Sequence, residues 1–149
     1  MFCKDVPYQQ DVVAAAALPL PWQQLQDKTL LLTGATGLIG TFLMDVLLYR
    51  NVQEGMNLHI TAVSRKQAVA DNPWVKYLQW DVNEPVPADQ WTPDFIVHAA
   101  SNTHPLQYAK DPIGSLMTNL LGTQHLLDLA RKAHTQRVVF LSKIGRAHV

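Results

Sequence analysis

The chain has little cysteine, no excess of charge and no long apolar run. Cys3 is the one cysteine among 149 residues, so neither an intrachain disulfide nor a cysteine-rich zinc site can form. The 12 Lys and Arg residues balance the 12 Asp and Glu residues, which argues against a nucleic-acid binder or a polybasic membrane-surface protein. The apolar stretch from Val12 to Leu20 is too short to span a bilayer and has no basic leader. These absences predict a cytoplasmic protein with no nucleic-acid partner and no membrane partner.

Apolar residues make up 48% of the chain and charged residues 16%, a balance typical of one domain with a packed core. Residues 1–27 are predicted to form an N-terminal extension. Within it, a short helix from Tyr8 to Ala17 is ended by two prolines. Trp22 and Leu25 are expected to pack onto the edge of the domain.

From residue 29 onward, short apolar runs alternate with segments of helical apolar spacing. The predicted strands are Thr29–Thr33, Leu58–Val63, Val75–Trp80, Phe95–Ala100 and Arg137–Leu141, and the predicted helices are Leu38–Arg50 and Ser115–Ala133. Uninterrupted apolar strands joined by helices predict an α/β fold with a parallel sheet covered on both faces. Right-handed crossovers favour the doubly wound Rossmann arrangement, with spatial order 3-2-1-4-5 and no strand after the fifth.

The strongest local feature is a glycine-rich segment, Thr33–Gly40, between the first strand and the helix that follows. Gly34 permits a tight turn, Gly37 lets the backbone approach a pyrophosphate, and Gly40 lets the helix lie close to the sheet. The amide groups and dipole at the helix N-terminus attract an anion. The segment therefore predicts a dinucleotide site, the alternative being a glycine-rich turn without a ligand.

This segment resembles the TGxxGxxG motif of the extended short-chain dehydrogenase/reductase superfamily, specifically the NAD-dependent epimerase/dehydratase family. The resemblance covers about residues 28–142. It also rests on Asp81-Val82, on His98-Ala99-Ala100-Ser101, on Pro112 with Thr118–Thr123 and the Leu126-Leu127 and Ala130-Arg131 pairs, and on Val138–Ser142.

The resemblance implies an NAD(P)-dependent enzyme that acts on a nucleotide sugar and forms a homodimer. The implied cofactor-binding residues are Gly34, Thr36, Gly37, Leu38, Ile39, Gly40, Ser64, Arg65, Asp81, Val82, Ala99, Ala100, Ser101 and Asn119. Asn119 and Ser142 are the implied catalytic residues. Within the family, the extension and the segment 99–105 most resemble bacterial proteins related to dTDP-glucose dehydratases and UDP-glucuronate decarboxylases.

The residues after the second strand leave the cofactor open between NAD and NADP. An acidic residue there would bind the 2′-hydroxyl of NAD, whereas an arginine accommodates the 2′-phosphate of NADP. Ser64 and Arg65 occupy this place, so the residue chemistry favours NADP while the family resemblance favours NAD. The alternative is that Arg65 is a solvated charge with no role in binding the cofactor.

No metal site is predicted, because none of the six histidines has metal-ligand spacing. His98 is expected to pack at the end of its strand. His104 either lines the sugar side of the site or has no such role.

The family's Tyr-x-x-x-Lys acid/base pair is missing, since no tyrosine of the chain has a lysine four residues later. The final residues Ile144–Val149 look like the translation of a sequencing adapter. We therefore expect residues 143–149 to be a non-native tail, with Lys143 in the place of the catalytic serine. The chain is then a cofactor-binding fragment, residues 28–142, that is inactive alone. Alternative functions are a reductase of an acyl thioester or small carbonyl compound, and a non-catalytic dinucleotide-binding sensor.

Overall fold

Strands and helices alternate along the chain in the computed structural model, which describes residues 6–65, 72–87, 91–101 and 111–142. The elements are α1 (Val6–Ala16), a 3₁₀ turn (Trp22–Leu25), β1 (Thr29–Thr33), α2 (Leu38–Glu54), β2 (His59–Ser64), β3 (Val75–Gln79), β4 (Phe95–His98), α3 (Pro112–Ala133) and β5 (Arg137–Phe140). The predictions for Cys3, His104 and Lys143–Val149 concern residues outside the described ranges.

The five strands form one parallel sheet in the order β3-β2-β1-β4-β5. This confirms the predicted Rossmann arrangement and strand order. The first strand is the central one, and its last residue, Thr33, lies between Val63 of β2 and His98 of β4. The carboxyl ends of all five strands therefore lie at one edge of the sheet, which we call the carboxyl edge.

Each face of the sheet carries its own apolar core because successive strand residues point to opposite faces. Leu30 and Leu32 of β1 pack with Met44, Leu47 and Leu48 of α2. On the other face, a second cluster joins Leu31, Ile96, Leu126 and Leu129 of β1, β4 and α3. Apolar burial on both faces explains why β1 carries three consecutive leucines rather than an alternating pattern.

Both long helices extend beyond their predicted ends. α2 continues to Glu54 and stops at Gly55, whose φ of +62° is a left-handed conformation that favours glycine. α3 starts at Pro112 rather than Ser115, because the Asp111 side chain accepts a hydrogen bond from the Gly114 N–H at 2.8 Å. Apolar spacing marks where a helix is buried, whereas these capping residues fix its ends. β1 has the predicted bounds, whereas the other four strands differ from prediction by one or two residues at one or both ends, and β4 stops at His98, two residues early.

The N-terminal helix covers the side of α2 that faces away from the sheet. Val12 and Ala16 of α1 are buried against Val46, and the Tyr8 hydroxyl donates to Asp45 Oδ2 at 2.8 Å. Trp22 and Leu25 pack on the α2-side core, as predicted. The segment 6–27 is therefore packed on the domain.

A buried asparagine ties α2 to the beginning of β2. Asn51 Nδ2 donates to the Leu58 carbonyl at 2.8 Å, and the Leu58 N–H donates to Asn51 Oδ1 at 2.9 Å. The side chain thus pairs with the Leu58 backbone as a neighbouring strand would. Both of these buried backbone groups are satisfied.

A carboxylate holds three strands together at the opposite, amino edge of the sheet. Asp94 precedes β4 and accepts hydrogen bonds from the backbone N–H and hydroxyl of Thr29, both at 2.9 Å, and from Gln136 Nε2 at 2.9 Å. Lys28 Nζ lies 3.3 Å from Asp94 Oδ1. Burial raises the pKa of Asp94, but the hydrogen bonds from Thr29 and Lys28 outweigh it and hold the pKa below its ordinary value.

Candidate functional site

The glycine-rich segment forms a tight turn at the carboxyl edge of the central strand. Gly34 follows β1 with φ of +72°, and the Gly37 N–H donates to the Gly34 carbonyl at 3.0 Å. A Cβ added at Gly34 would lie 2.6 Å from the carbonyl carbon and oxygen of Ala99. A Cβ at Gly40 would overlap the Gly34 carbonyl oxygen. Glycine is thus required at both positions, because the turn packs directly on the end of β4 and on the first turn of α2.

The beginning of α2 is open to solvent. Its N-cap is Gly37, which has no side chain to accept from the first amide groups of the helix. Leu38 and Ile39 follow with 87% and 61% of their surfaces exposed. The positive end of the helix dipole is therefore accessible to solvent, and the first two residues of the helix have exposed aliphatic side chains.

A hydrogen-bond network joins the glycine turn to β4. Thr33 Oγ1 accepts from the Ala100 N–H at 3.3 Å and lies 2.7 Å from His98 Nδ1. The Thr33 hydroxyl thus joins the imidazole of His98 to the backbone that follows β4. Burial lowers the pKa of His98, so the ring is neutral near pH 7. His98 is buried at the end of β4, as predicted.

Two more strand ends contribute polar residues to the same edge. Ser64, the last residue of β2, is buried, and the Arg65 that follows it is exposed, with its carbonyl accepting from Gln79 Nε2 at 3.2 Å. After β3, Asp81 starts a turn in which its Oδ1 accepts from the Asn83 N–H at 3.0 Å. Val82 is buried in this turn.

The segment after β4 is linked to the first half of α3. The Ser101 hydroxyl donates to Asn119 Oδ1 at 2.9 Å, so two of the predicted site residues are in direct contact. Ser142 is exposed and lies two residues after the end of β5. The fold thus brings every predicted site residue to the carboxyl edge or to the helix beside it, where ligands bind in open parallel sheets.

Comparison with known proteins identifies the family. The sequence profile of the NAD-dependent epimerase/dehydratase family matches residues 30–143, more than half of the chain. The chain belongs to this family. The resemblance drawn from the glycine turn and its companion segments is therefore confirmed.

Relatives within the family are considerably longer than this chain. UDP-glucuronic acid decarboxylase 1 of Arabidopsis thaliana is 29% identical over 106 residues, which are 69% of this chain and 23% of that protein. DesIV, a dTDP-glucose 4,6-dehydratase from Streptomyces venezuelae solved with NAD bound, superposes with a TM-score of 0.63 at 23% identity, covering 74% of this chain and 38% of that one. WbmF from Bordetella bronchiseptica, solved with NAD⁺, has a TM-score of 0.62 at 18% identity, with 84% and 40% covered. The chain spans less than half the length of these three proteins.

Four residues that join α3 to the turn after β3 were not among the predicted site residues. Asn83, Thr118, Gly122 and His125 connect the turn after β3 to α3. A signal for three of them was present, since Thr118, Gly122 and His125 recur at i, i+4 and i+7 and so share one helix face.

Two kinds of feature are not found in the described part of the chain. No cluster of three His, Cys, Asp or Glu side chains has the spacing of a metal site. No helix among these residues combines the length and apolarity needed to cross a bilayer.

Proposed function

We propose that the whole protein is an NAD(P)-dependent enzyme of the epimerase/dehydratase type and that residues 28–142 form its dinucleotide-binding part. The observation that carries this is the open N-terminus of α2 beneath a turn in which Gly34 and Gly40 have no room for a side chain. Residues 1–27 are then an N-terminal extension, and residues 143–149 a non-native tail.

The residues at the carboxyl edge fit a dinucleotide. The exposed Gly37 backbone and the first amides of α2 suit a pyrophosphate, which binds at such helix ends. Leu38 and Ile39 are exposed beside it and suit an apolar ring face. We propose that Ser64 and Arg65 contact the adenosine ribose and that Asp81 and Val82 contact the adenine. The remaining parts of the dinucleotide are proposed to contact Thr36, Ala99, Ala100, Ser101 and Asn119.

The bound dinucleotide supplies a hydride acceptor, and the protein supplies binding and orientation. Asn119 Oδ1 is engaged by Ser101, so its amide nitrogen is the group that can hold a water or substrate oxygen in place. Ser142 is the second proposed catalytic residue. Because none of the 149 residues forms a Tyr-x-x-x-Lys pair, we propose that this chain binds the cofactor without completing the reaction.

The proposed substrate of the whole protein is a nucleotide-activated sugar. Support comes from relatives named for UDP-glucuronic acid and dTDP-glucose and from the family match. A cytoplasmic location is proposed from the sequence alone. Recovery of the full-length coding sequence tests the enzyme assignment, since a whole protein without Tyr-x-x-x-Lys would instead favour the sensor.

Titration of the 149-residue chain with NADH and NADPH tests the dinucleotide site and the role of Arg65. We expect binding, and we expect Arg65→Ala to weaken NADPH about tenfold while changing NADH by less than about twofold, since only NADPH carries the 2′-phosphate. Lys76→Ala is the matched control because Lys76 is an exposed cation at the far end of the adjacent strand. Absence of binding at millimolar concentrations would refute the proposed site, and an unchanged NADPH affinity would make Arg65 a solvated charge.

We also propose that the whole protein is a homodimer in which α3 packs against α3 of a second copy. The outward face of α3 carries an uncovered apolar stripe formed by Ile113, Leu116, Leu120 and Leu127. Ile113 and Leu127 are each seven residues from Leu120. In two antiparallel helices that cross at Leu120, Ile113 of each copy would therefore lie opposite Leu127 of the other. The same arrangement places Asp111 near the basic last turn of the other helix.

Sedimentation of the full-length protein checks the dimer. Leu120→Glu is expected to weaken association at least about tenfold, because it buries an unpaired carboxylate at the centre of the interface. Val52→Glu, an equally exposed apolar position on α2, is expected to leave association unchanged. A monomeric wild-type protein, or equal effects of both variants, would argue against this interface.

A further inference from the structure

One face of α3 contacts the turn that follows β3 at three successive positions. Thr118 Oγ1 accepts from Asn83 Nδ2 at 3.2 Å. At Gly122 an added Cβ would lie 2.8 Å from Val82 Cγ2, so the helix backbone is packed against the Val82 side chain. His125 Nδ1 lies 2.9 Å from the Val82 carbonyl oxygen. The turn is thus held from one side along about two turns of helix.

The contact at His125 has a defined chemical direction. A carbonyl oxygen only accepts, so Nδ1 carries the hydrogen and donates it to Val82. Within the turn, Asp81 Oδ1 accepts from the Asn83 N–H and the Asp81 carbonyl accepts from the Glu84 N–H at 2.9 Å. These two bonds shape the turn itself, whereas the His125 bond fixes it to α3. Loss of the donor would leave the Val82 carbonyl without this partner and let the turn shift relative to the sheet.

We infer that His125 is a positioning residue for Asp81 and Val82, and thereby for the adenine end of the dinucleotide. The inference rests on the proposed function, since Asp81 and Val82 are its adenine contacts. His125 does not touch the ligand in this arrangement. It acts through the Val82 carbonyl, which it holds from the helix side.

The test compares three substitutions of His125 in the 149-residue chain. Asparagine places its Nδ2 donor close to the position of the imidazole Nδ1, whereas leucine offers no donor and glutamine places its donor farther out. We expect the dissociation constant for ADP-ribose to rise about tenfold in His125→Leu and His125→Gln and by less than about threefold in His125→Asn. Affinity for nicotinamide mononucleotide, which lacks the adenine, is expected to stay unchanged in all three.

Two further variants separate positioning from general loss of packing. Leu129→Ala removes a buried side chain one turn farther along α3 and is expected to lower the melting temperature without changing ADP-ribose affinity. Gly122→Ala displaces Val82 from the same side of the turn and is expected to raise the dissociation constant for ADP-ribose about tenfold. This variant tests the inference without His125→Leu, in case the leucine variant folds poorly.

Hydrogen exchange of residues 81–84 in the unliganded chain gives a readout that is independent of any ligand. The inference predicts at least about tenfold faster exchange in His125→Leu and near wild-type exchange in His125→Asn. Wild-type exchange in the leucine variant, or equal losses of ADP-ribose affinity in the leucine and asparagine variants, would overturn the inference. A wild-type chain that binds no ADP-ribose while the exchange effect is present would instead refute the proposed function, because the turn would be positioned for no such ligand.

Discussion

A Gly34→Ala variant is expected to lose about 3 kcal/mol of folding stability and to bind no dinucleotide at millimolar concentration. Two costs add at this position. The left-handed φ of +72° disfavours any residue with a side chain, and the new Cβ would lie 2.6 Å from the Ala99 carbonyl group. Relief requires the glycine turn to move away from β4, which displaces the amide groups at the beginning of α2.

The chain offers a matched control for the first of these costs. Gly55 has a φ of +62° but no heavy atom within 4 Å of an added Cβ, so Gly55→Ala carries the conformational cost alone. That variant is expected to lose about 1 kcal/mol and to keep wild-type affinity. Urea unfolding and NADH titration measure both quantities. Equal losses of stability in the two variants would show that the approach to Ala99 is not what requires glycine at position 34.

An Asp94→Asn variant is expected to lose about 2 kcal/mol of stability at pH 7. The substitution keeps the shape of the side chain but replaces one acceptor oxygen with a donor. Four groups donate to the carboxylate, from Lys28, Thr29 and Gln136, so the new amide faces a donor on at least one side. Asp128→Asn is the control, because Asp128 is exposed and its ion pair with Arg131 is long, at 3.6 Å. Its loss is expected to stay below about 0.5 kcal/mol.

The stability difference between wild type and Asp94→Asn is expected to depend on pH in a defined direction. The pKa of Asp94 is lower in the folded protein than its ordinary value, so the folded state favours the ionised carboxylate. Its contribution is fully present above about pH 5 and is lost as the pH falls through the folded pKa, below about pH 4. Urea unfolding between pH 3 and pH 7 measures the difference. A difference that grows on acidification would contradict the assignment.

The fold was predictable because strands that are buried on both faces of a sheet appear in the sequence as uninterrupted apolar runs. The uninterrupted apolar runs predicted buried parallel strands, and right-handed crossovers then favoured the doubly wound order. Helix ends were harder, because they depend on Asp111 and Gly55 rather than on apolar spacing.

Apolar spacing identified α3 but did not reveal its buried side. Leu116, Leu120 and Leu127 are exposed, whereas the first half of the buried face consists of the small residues Ser115, Thr118 and Gly122. At Gly122 a small residue is required, because Val82 and His98 approach the helix closely there. A periodicity argument weights large side chains and so favours the outward stripe.

The predicted site residues were drawn from a local motif and a family resemblance, and the fold places them at one edge. The network around Thr33 and His98 could not be predicted, because it joins residues 65 positions apart in the chain. Local sequence patterns carry no information on which strand ends become neighbours until the sheet order is known. The contact between His125 and Val82 was missed for the same reason.

The central position of β1 determines how long its two edges stay unpaired during synthesis. This strand is synthesised before all the others, yet its partners, Thr61 and Ile96 opposite Leu31, come about 30 and 65 residues later. Until both arrive, a strand with three consecutive leucines has at least one unpaired edge, a condition that favours intermolecular pairing. The edge of β1 that pairs with β4 is therefore the one that stays open longest during synthesis.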